Sequence, residues 1–274
     1  GLPVEAVTGT VSGLSARITW GDGTTSTGRA TLTDLTIEAP YGIVTGIDGT
    51  LTASSLAPLR LPAGQRLTAD SLAVGLQLGQ GEAVFGLSPG MRLDVSSLGF
   101  DWAGGRLSAE PFNTALVDPD LRIVLAARGV DLSRLAGQLP LSNFEATGTL
   151  QGRVPVRLTP DTIAIENATL GTVGSGVIRY RPNGAAERPQ TGGLGGQPGG
   201  VELLMAALEN FNYESLVLTL NGRTGEDLTA RIEIDGANPD LYDGWPIDLN
   251  VDVSGALIEI LRSGLRSMSI GGRT

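Results

Sequence analysis

The sequence predicts a mainly β fold: an antiparallel meander with one apolar face and few helices. Three observations predict it. Between Ala146 and Tyr180, short runs of alternating apolar residues are separated by turn residues, with no room for a helix between them. Runs of the same kind recur through the rest of the chain, and only short stretches carry helical spacing. In Val154-Pro-Val156-Arg-Leu158, a period of two puts Val154, Val156 and Leu158 on one side of a strand and Pro155 and Arg157 on the other. Thr159-Pro160-Asp161 then turns the chain, because proline presets the backbone angle of a β-turn and Asp161 can bond its own backbone. The beat resumes at Ile163-Ala-Ile165.

Taken in order, the chain opens with Val4 to Val11 and Leu14 to Trp20, expected to be a strand pair turning at Ser12-Gly13. The stretch from Val7 to Gly13 resembles that from Ala146 to Gly152, a hint of two related halves. A polar loop from Gly21 to Gly28 precedes Ala30 to Glu38, and Pro40-Tyr41-Gly42 sends the chain back along Ile43 to Ala53. Leu56 to Leu61 reads as a short piece, and Arg66 to Leu78 as one long alternating strand carrying Leu72, Val74, Leu76 and Leu78. Pro89-Gly90 and Trp102 to Gly105 are turns flanking the strand of Met91, Leu93 and Val95. Leu121 to Leu125 is more continuously apolar. A one- or two-turn helix is expected after Asp131 as N-cap. Arg181 to Gly200 is half glycine and proline and predicts a flexible loop.

Val201 to Asn210 carries Leu203, Leu204, Ala207 and Leu208 at helical spacing. Phe211 to Leu220 and Leu228 to Asp235 form a hairpin, with Leu216, Leu218 and Leu220 against Ile232 and Ile234. Asn238 to Gly244 is a tight polar connection, and Leu249, Val251 and Val253 alternate with acids and amides that meet water. Ala256 to Met268 closes as an amphipathic helix.

Composition removes most chemistry. The 274 residues contain no cysteine, no histidine and no lysine; all 19 basic residues are arginine. The usual general base, thiol nucleophiles, thiolate metal sites and Schiff-base lysines are therefore missing; a carboxylate-pair mechanism stays open as a distant third reading, and the chain is read as no enzyme and as needing no cofactor. A net charge of −10 argues against nucleic acid and against electrostatic docking on anionic membranes. No run is long and apolar enough for a transmembrane helix, no signal peptide opens the chain, and Gly1 in place of Met reads as part of something longer. Asp118 with Asp120, and Asn238 with Asp240 and Asp243, could hold calcium or serve as turn residues. The glycines from Gly192 to Gly200 lack the basic partner of a phosphate loop, and Asn167-Ala-Thr169 matches the short glycosylation pattern. Trp20, Trp102 and Trp245 fall near strand ends.

The apolar face has two readings: a core closed between two sheets, or a curved sheet left partly open to hydrocarbon. The second gains from the number of one-sided strands with few helices to cover them. At roughly 0.8 kcal/mol per methylene, a lipid with two long chains could gain on the order of 20 kcal/mol on such a face.

Several motifs then point to a family. Gly148 to Tyr180, with its Val154-Pro-Val156 strand and closing Gly176-Val-Ile-Arg-Tyr180, resembles the C-terminal region of the YdbH-like family. Ala207 to Tyr213, Asn238 to Gly244 and Leu249 to Val253 strengthen the resemblance. The family is grouped with AsmA-like, TamB-related bridge proteins of Gram-negative envelopes. The resemblance implies an elongated, curved antiparallel β-sheet groove, an open β-taco, that conducts phospholipids across the periplasm. It implies an inner-membrane anchor in the full-length protein and a small outer-membrane lipoprotein that adds strands near the C-terminal end. On this reading residues 1–180 are a groove segment, 181–200 a loop, and 201–274 the end of the groove. The expected lining is Val154, Val156, Ile163, Ile165, Val177, Leu216, Leu218, Leu220, Ile232, Ile234, Leu249, Val251 and Val253, with phospholipid acyl chains as the occupant.

Overall fold

A computed structural model describes residues 5–20, 25–39, 42–73, 77–116, 120–137, 143–159, 163–181, 200–223 and 229–254. Of the expected loop over 181–200, residues 182–199 lie outside the described residues, as does the closing helix at 256–268. Strands dominate: β1 (Ala6–Thr19), β2 (Thr25–Ala39), β3 (Gly42–Ala53), β4 (Ser55–Leu56), β5 (Leu59–Ala69), β6 (Ser71–Ala73), β7 (Gln77–Leu78), β8 (Gly81–Ser88), β9 (Arg92–Trp102), β10 (Gly105–Ala109), β11 (Phe112–Ala115) and β12 (Leu121–Asp131). Helix α1 (Leu132–Ala136) follows, then β13 (Phe144–Ala146), β14 (Thr149–Leu158), β15 (Ile163–Thr172) and β16 (Gly176–Tyr180). Helix α2 (Gly200–Leu208), β17 (Phe211–Arg223), β18 (Thr229–Ala237), a single 3₁₀ turn (Tyr242–Gly244) and β19 (Ile247–Ser254) complete the order.

The strands form one antiparallel sheet built as a meander, in place of the two facing sheets of the alternative reading. It is not closed: among the described residues β1 is flanked by β2 and β19 by β18. By contacts the chain divides into two compact units. Unit 1 holds residues 1–102, 106–125 and 156–163; unit 2 holds 103–105, 126–155 and 164–274, so β10, β12, β14 and β15 contribute to both. The described part of unit 1 is strand and turn throughout, whereas α1 and α2 belong to unit 2.

The first strand differs from the expected hairpin. β1 runs unbroken from Ala6 to Thr19, paired along its length with β2, and Gly13 is a bulge within it rather than a turn between strands. With φ of +56° Gly13 takes the left-handed conformation, and the ladder steps from Ser12 to Ser15 across it. The long strand expected over 66–78 also breaks. β5 and β6 keep one register against β3, but the chain then reverses, so Leu78 returns opposite Leu72 instead of continuing beyond it. Leu56 to Leu61 is a tight reversal, Ser55 facing Arg60 and Leu56 facing Leu59.

Gly13 belongs to a recurring device. Strand periodicity sends residues three apart to opposite faces, so an apolar pair at that spacing needs one extra residue to stay on one face. Val11-Ser-Gly13-Leu14, Leu32-Thr-Asp34-Leu35, Val44-Thr-Gly46-Ile47, Ala127-Arg-Gly129-Val130 and Ile165-Glu-Asn167-Ala168 share one pattern, a polar residue and then glycine, aspartate or asparagine between two apolar ones. In each the third residue is left-handed, with φ between +50° and +67°. These are the residue types that tolerate that conformation. At the two non-glycine positions a neighbouring side chain takes up the bulged N–H: Asp34 N donates to Asp48 Oδ1 at 3.1 Å and Asn167 N to Asn221 Oδ1 at 2.6 Å.

The expected turns and caps form. Ala103 and Gly104, both at positive φ, close the β9–β10 hairpin. Gly90, at φ +81°, sits where a type II turn requires it. Asp131 caps α1, its Oδ1 accepting from Ser133 N at 2.8 Å. Helix α2 ends against a buried side chain, since Asn238 Nδ2 donates to the carbonyls of Ala206 and Ala207 at 2.9 and 3.1 Å. That satisfies carbonyls the helix leaves free at its C-terminus.

Asn167 isolates the energetic cost of the bulge because its side chain is exposed. Asn167→Gly should leave stability within about 1 kcal/mol. Asn167→Val, which must place a β-branched residue at positive φ, should cost about 1–3 kcal/mol. The difference in urea midpoints between the two variants measures it.

Candidate functional site

Cross-strand register decides which side chains share a face. In unit 2, Leu216 faces Ile234, and Ile234 faces Leu249. The next row is Leu170, Leu218, Ile232 and Val251, and the one after it Ala168, Leu220 and Ala230, with Val253 at the register position opposite Ala230. Ile165 pairs with Gly222, and the Asn167 bulge keeps it on the same face as Ala168 and Leu170. The opposite face is polar: Thr169, Thr219, Arg231 and Asp252 form one row. There Arg231 Nε donates to Asp252 Oδ1 at 2.7 Å, and that hydrogen bond holds the Asp252 carboxyl below the usual aspartate range.

Of the expected lining residues, the structure thus brings Ile165, Leu216, Leu218, Leu220, Ile232, Ile234, Leu249 and Val251 to one side. Val154 and Val156 alternate along β14 with Leu150 and are half-buried. The side chains of Ile163 and Val253 lie outside the described residues. Val177 does not join them. It pairs with Asn212, whereas Ile178 pairs with Phe211, so Val177 faces the polar side. Alternation within one short strand could not say which of two adjacent apolar residues, Val177 or Ile178, points inward.

Sequence reasoning did not place the apolar rows of unit 1. Unit 1 carries the row Val7, Ile37, Val44, Leu72 and Leu78. A parallel row runs Val11, Leu32, Gly49, Leu67, Ala83 and Leu98. Leu61, Leu87 and Leu93 make another. The reverse side carries hydroxyls in pairs: Thr31 and Thr50 at 3.2 Å, Thr45 and Ser71 at 2.8 Å. Most members of these apolar rows are neither buried nor free but half-buried. Gln65, the polar member beside Phe85 and Val95, has both ends satisfied by backbone: its Nε2 donates to Pro62 O and its Oε1 accepts from Thr52 N. The missed signal was the apolar pair at spacing three with glycine, aspartate or asparagine between.

Burial is uneven within unit 2. Leu216, Ile234 and Leu249 are 4–6 % exposed, whereas Leu218, Leu220 and Ile232 are half-buried. Near the buried end stands an aromatic cluster. Phe211 and Tyr213 are fully buried with Leu204 and Ala207 of α2. Tyr213 Oη donates to Thr147 O at 2.6 Å. A Cβ at Gly148 or Gly176 would strike that hydroxyl, so both positions require glycine for the close approach.

Of the acidic candidates, Asp118 lies outside the described residues, and Asp120, Asn238 and Asp240 have structural partners. Asn238 Oδ1 accepts from Asp240 N at 2.8 Å, and Asp240 Oδ2 accepts from Asn210 Nδ2 at 2.8 Å. Asp120 receives both Nε and Nη2 of Arg157 at 2.8 and 2.9 Å. Among the described residues no group of three or more acids is placed to hold a metal ion. An open polar pocket lies among Gly104, Gly129, Asp131, Arg134, Gly148 and Thr149, with Asp131 already engaged as the α1 cap. No described helix is long and apolar enough to cross a membrane.

A family model described as "YdbH-like: Intermembrane phospholipid transport protein YdbH" matches residues 2–271. No curated protein and no solved structure matches the chain.

Burial raises the Tyr213 phenol above its ordinary pKa. A raised phenol pKa contributes stability that is full below the unfolded value of about 10 and is lost as pH rises through the folded value. Lysine is absent from the sequence, so no ammonium titrates over the same range. Tyr213→Phe should cost about 1–2 kcal/mol at neutral pH through the lost hydrogen bond. It should also flatten the fall in melting temperature between pH 9 and about 11 relative to the parent.

Proposed function

The chain belongs to the YdbH-like family of intermembrane phospholipid transport proteins, and from that membership we propose that it is a segment of an envelope-spanning conduit for phospholipids. Acyl chains lie on the apolar side of the sheet and pass from row to row between the inner and outer membranes. Residues 1–180 supply the groove and 201–274 its C-terminal end. The full-length protein is held in the inner membrane and works in the periplasm. A small outer-membrane lipoprotein extends the sheet by adding strands near the C-terminal end, where β19 is the last strand among the described residues. The headgroup stays in water along the strand ends.

One observation carries this reading: continuous aliphatic rows cross successive strands of an unclosed sheet, and in unit 1 those side chains remain half-buried. A closed core would bury them. Hydrophobic contact is non-directional and scales with area, so a methylene leaving one row enters an equivalent contact in the next. Uniform rows therefore hold a chain without trapping it. Movement needs no titrating group or bound cofactor, which suits a chain without histidine, cysteine or lysine.

Native mass spectrometry of the purified protein should show phospholipid bound at about one or more molecules per chain, and a lipid-free protein that resists loading would overturn the proposal. Joint substitution of Leu218→Asp and Ile232→Asp sets two carboxylates on neighbouring positions of one row. It should abolish loading, because a charge against hydrocarbon costs several kcal/mol. Thr169→Asp, on the opposite face, should leave loading intact. If the paired variant fails to fold, these residues are ordinary core.

A further inference from the structure

The β18–β19 connection, residues 238–246, carries two of the most exposed large side chains of the molecule. Tyr242 is 64 % and Trp245 72 % exposed, in contrast to Trp102 at 6 %. Their display is built rather than loose. Asn238, itself 2 % exposed, ties the loop to the carbonyl end of α2 and accepts from Asp240 N. Three backbone bonds then wind the loop tightly: Leu241 N to Asn238 O, Gly244 N to Leu241 O and Trp245 N to Tyr242 O, at 3.0–3.2 Å. Tyr242, Asp243 and Gly244 are all left-handed, at φ of +49°, +55° and +74°. A bulky aromatic residue at positive φ is unfavourable, and such outliers persist only where the surroundings over-determine them.

We infer that this loop is an interfacial anchor, seating Tyr242 and Trp245 in the headgroup layer of a lipid bilayer. The residue types fit that layer, since both present an apolar ring with one polar tip, and Leu241, the aliphatic residue between them and Asp240, is tucked half out of water. Charge narrows the surface further. Asp240, Asp243 and Asp248 are exposed and residues 238–250 contain no arginine, so the target is a zwitterionic bilayer rather than an anionic one. Position supplies the reason for contact. Trp245 lies four residues before Leu249, a member of the apolar row with Ile234 and Leu216. The anchor therefore sits at the strand ends bordering the face on which acyl chains travel, and holds that face against the bilayer that donates or receives them. This inference rests on the conduit reading for its purpose, but the contact itself is tested separately.

The probe is vesicles of phosphatidylcholine and phosphatidylethanolamine, with and without brominated acyl chains, mixed with the full chain. The parent protein should show a blue-shifted tryptophan component that brominated lipid quenches, and Trp245→Phe should lack it. The joint variant Tyr242→Ala with Trp245→Ala should float with vesicles at least about tenfold less. Its bound phospholipid, read by native mass spectrometry, should match the parent. Equal quenching in the parent and Trp245→Phe would overturn the anchor while leaving the conduit standing. So would a shift that appears only when outer-membrane proteins are reconstituted into the vesicles, which would make the loop a protein-docking site. Loss of bound phospholipid in the joint variant would assign the two aromatics to the groove itself and likewise overturn it.

Discussion

Face parity is the constraint on which this molecule depends. A strand sends successive side chains to opposite sides, and a sheet that keeps oil on one side and water on the other must preserve that count across every pairing. A slip of one residue would turn a whole strand of leucines and valines outward. The rows from Val7 to Leu78 and from Leu170 to Val251 show the count preserved within each unit. Where the apolar spacing is three, a left-handed glycine, aspartate or asparagine absorbs the extra residue. The glycine richness of the sequence is partly explained by this role and partly by close backbone approaches such as those beneath Tyr213.

Having only one sheet changes what holds the fold. In unit 1 the hydrogen-bonded ladder and the lateral contacts of half-buried aliphatics do most of the work, because its described residues form no helix. Unit 2 has a more ordinary core, in which Leu204, Ala207, Phe211 and Tyr213 pack to near-complete burial and Asn238 locks the helix in place. Exposed ion pairs such as Arg231–Asp252 and Arg66–Glu82 add little each to stability and are better understood as fixing register on the water-facing side. A chain built entirely on arginine for its cations gains planar, two-pronged partners for carboxylates, as Arg157 shows with Asp120.

The same economy links structure to transport. Hydrocarbon needs area rather than chemistry, and the apolar rows offer area repeated at the spacing of strands. Coverage differs from strand to strand as well as from row to row: Leu218 and Ile232 are half-buried, whereas Leu170 and Val251 of the same row, and Leu216, Ile234 and Leu249 of the next, are buried. On the proposed reading, selectivity for lipid over water follows from that face, and directionality comes from whatever stands at its ends.

Much of this was legible in the residues alone. Alternation determined a strand over Val154 to Leu158 and both strand and face at Leu249 and Val251, Asp131 determined the start of α1, and Pro89-Gly90 and Ala103-Gly104 determined turns, because each acts through local backbone geometry. Tertiary structure alone decided that Gly13 bulges rather than turns, that Leu78 folds back on Leu72, and that Ile178 rather than Val177 faces inward. It alone also joined the rows of the first hundred residues into one surface. These are questions of which strand lies beside which and in what register, and register is an agreement between segments far apart in the chain that neither segment contains by itself.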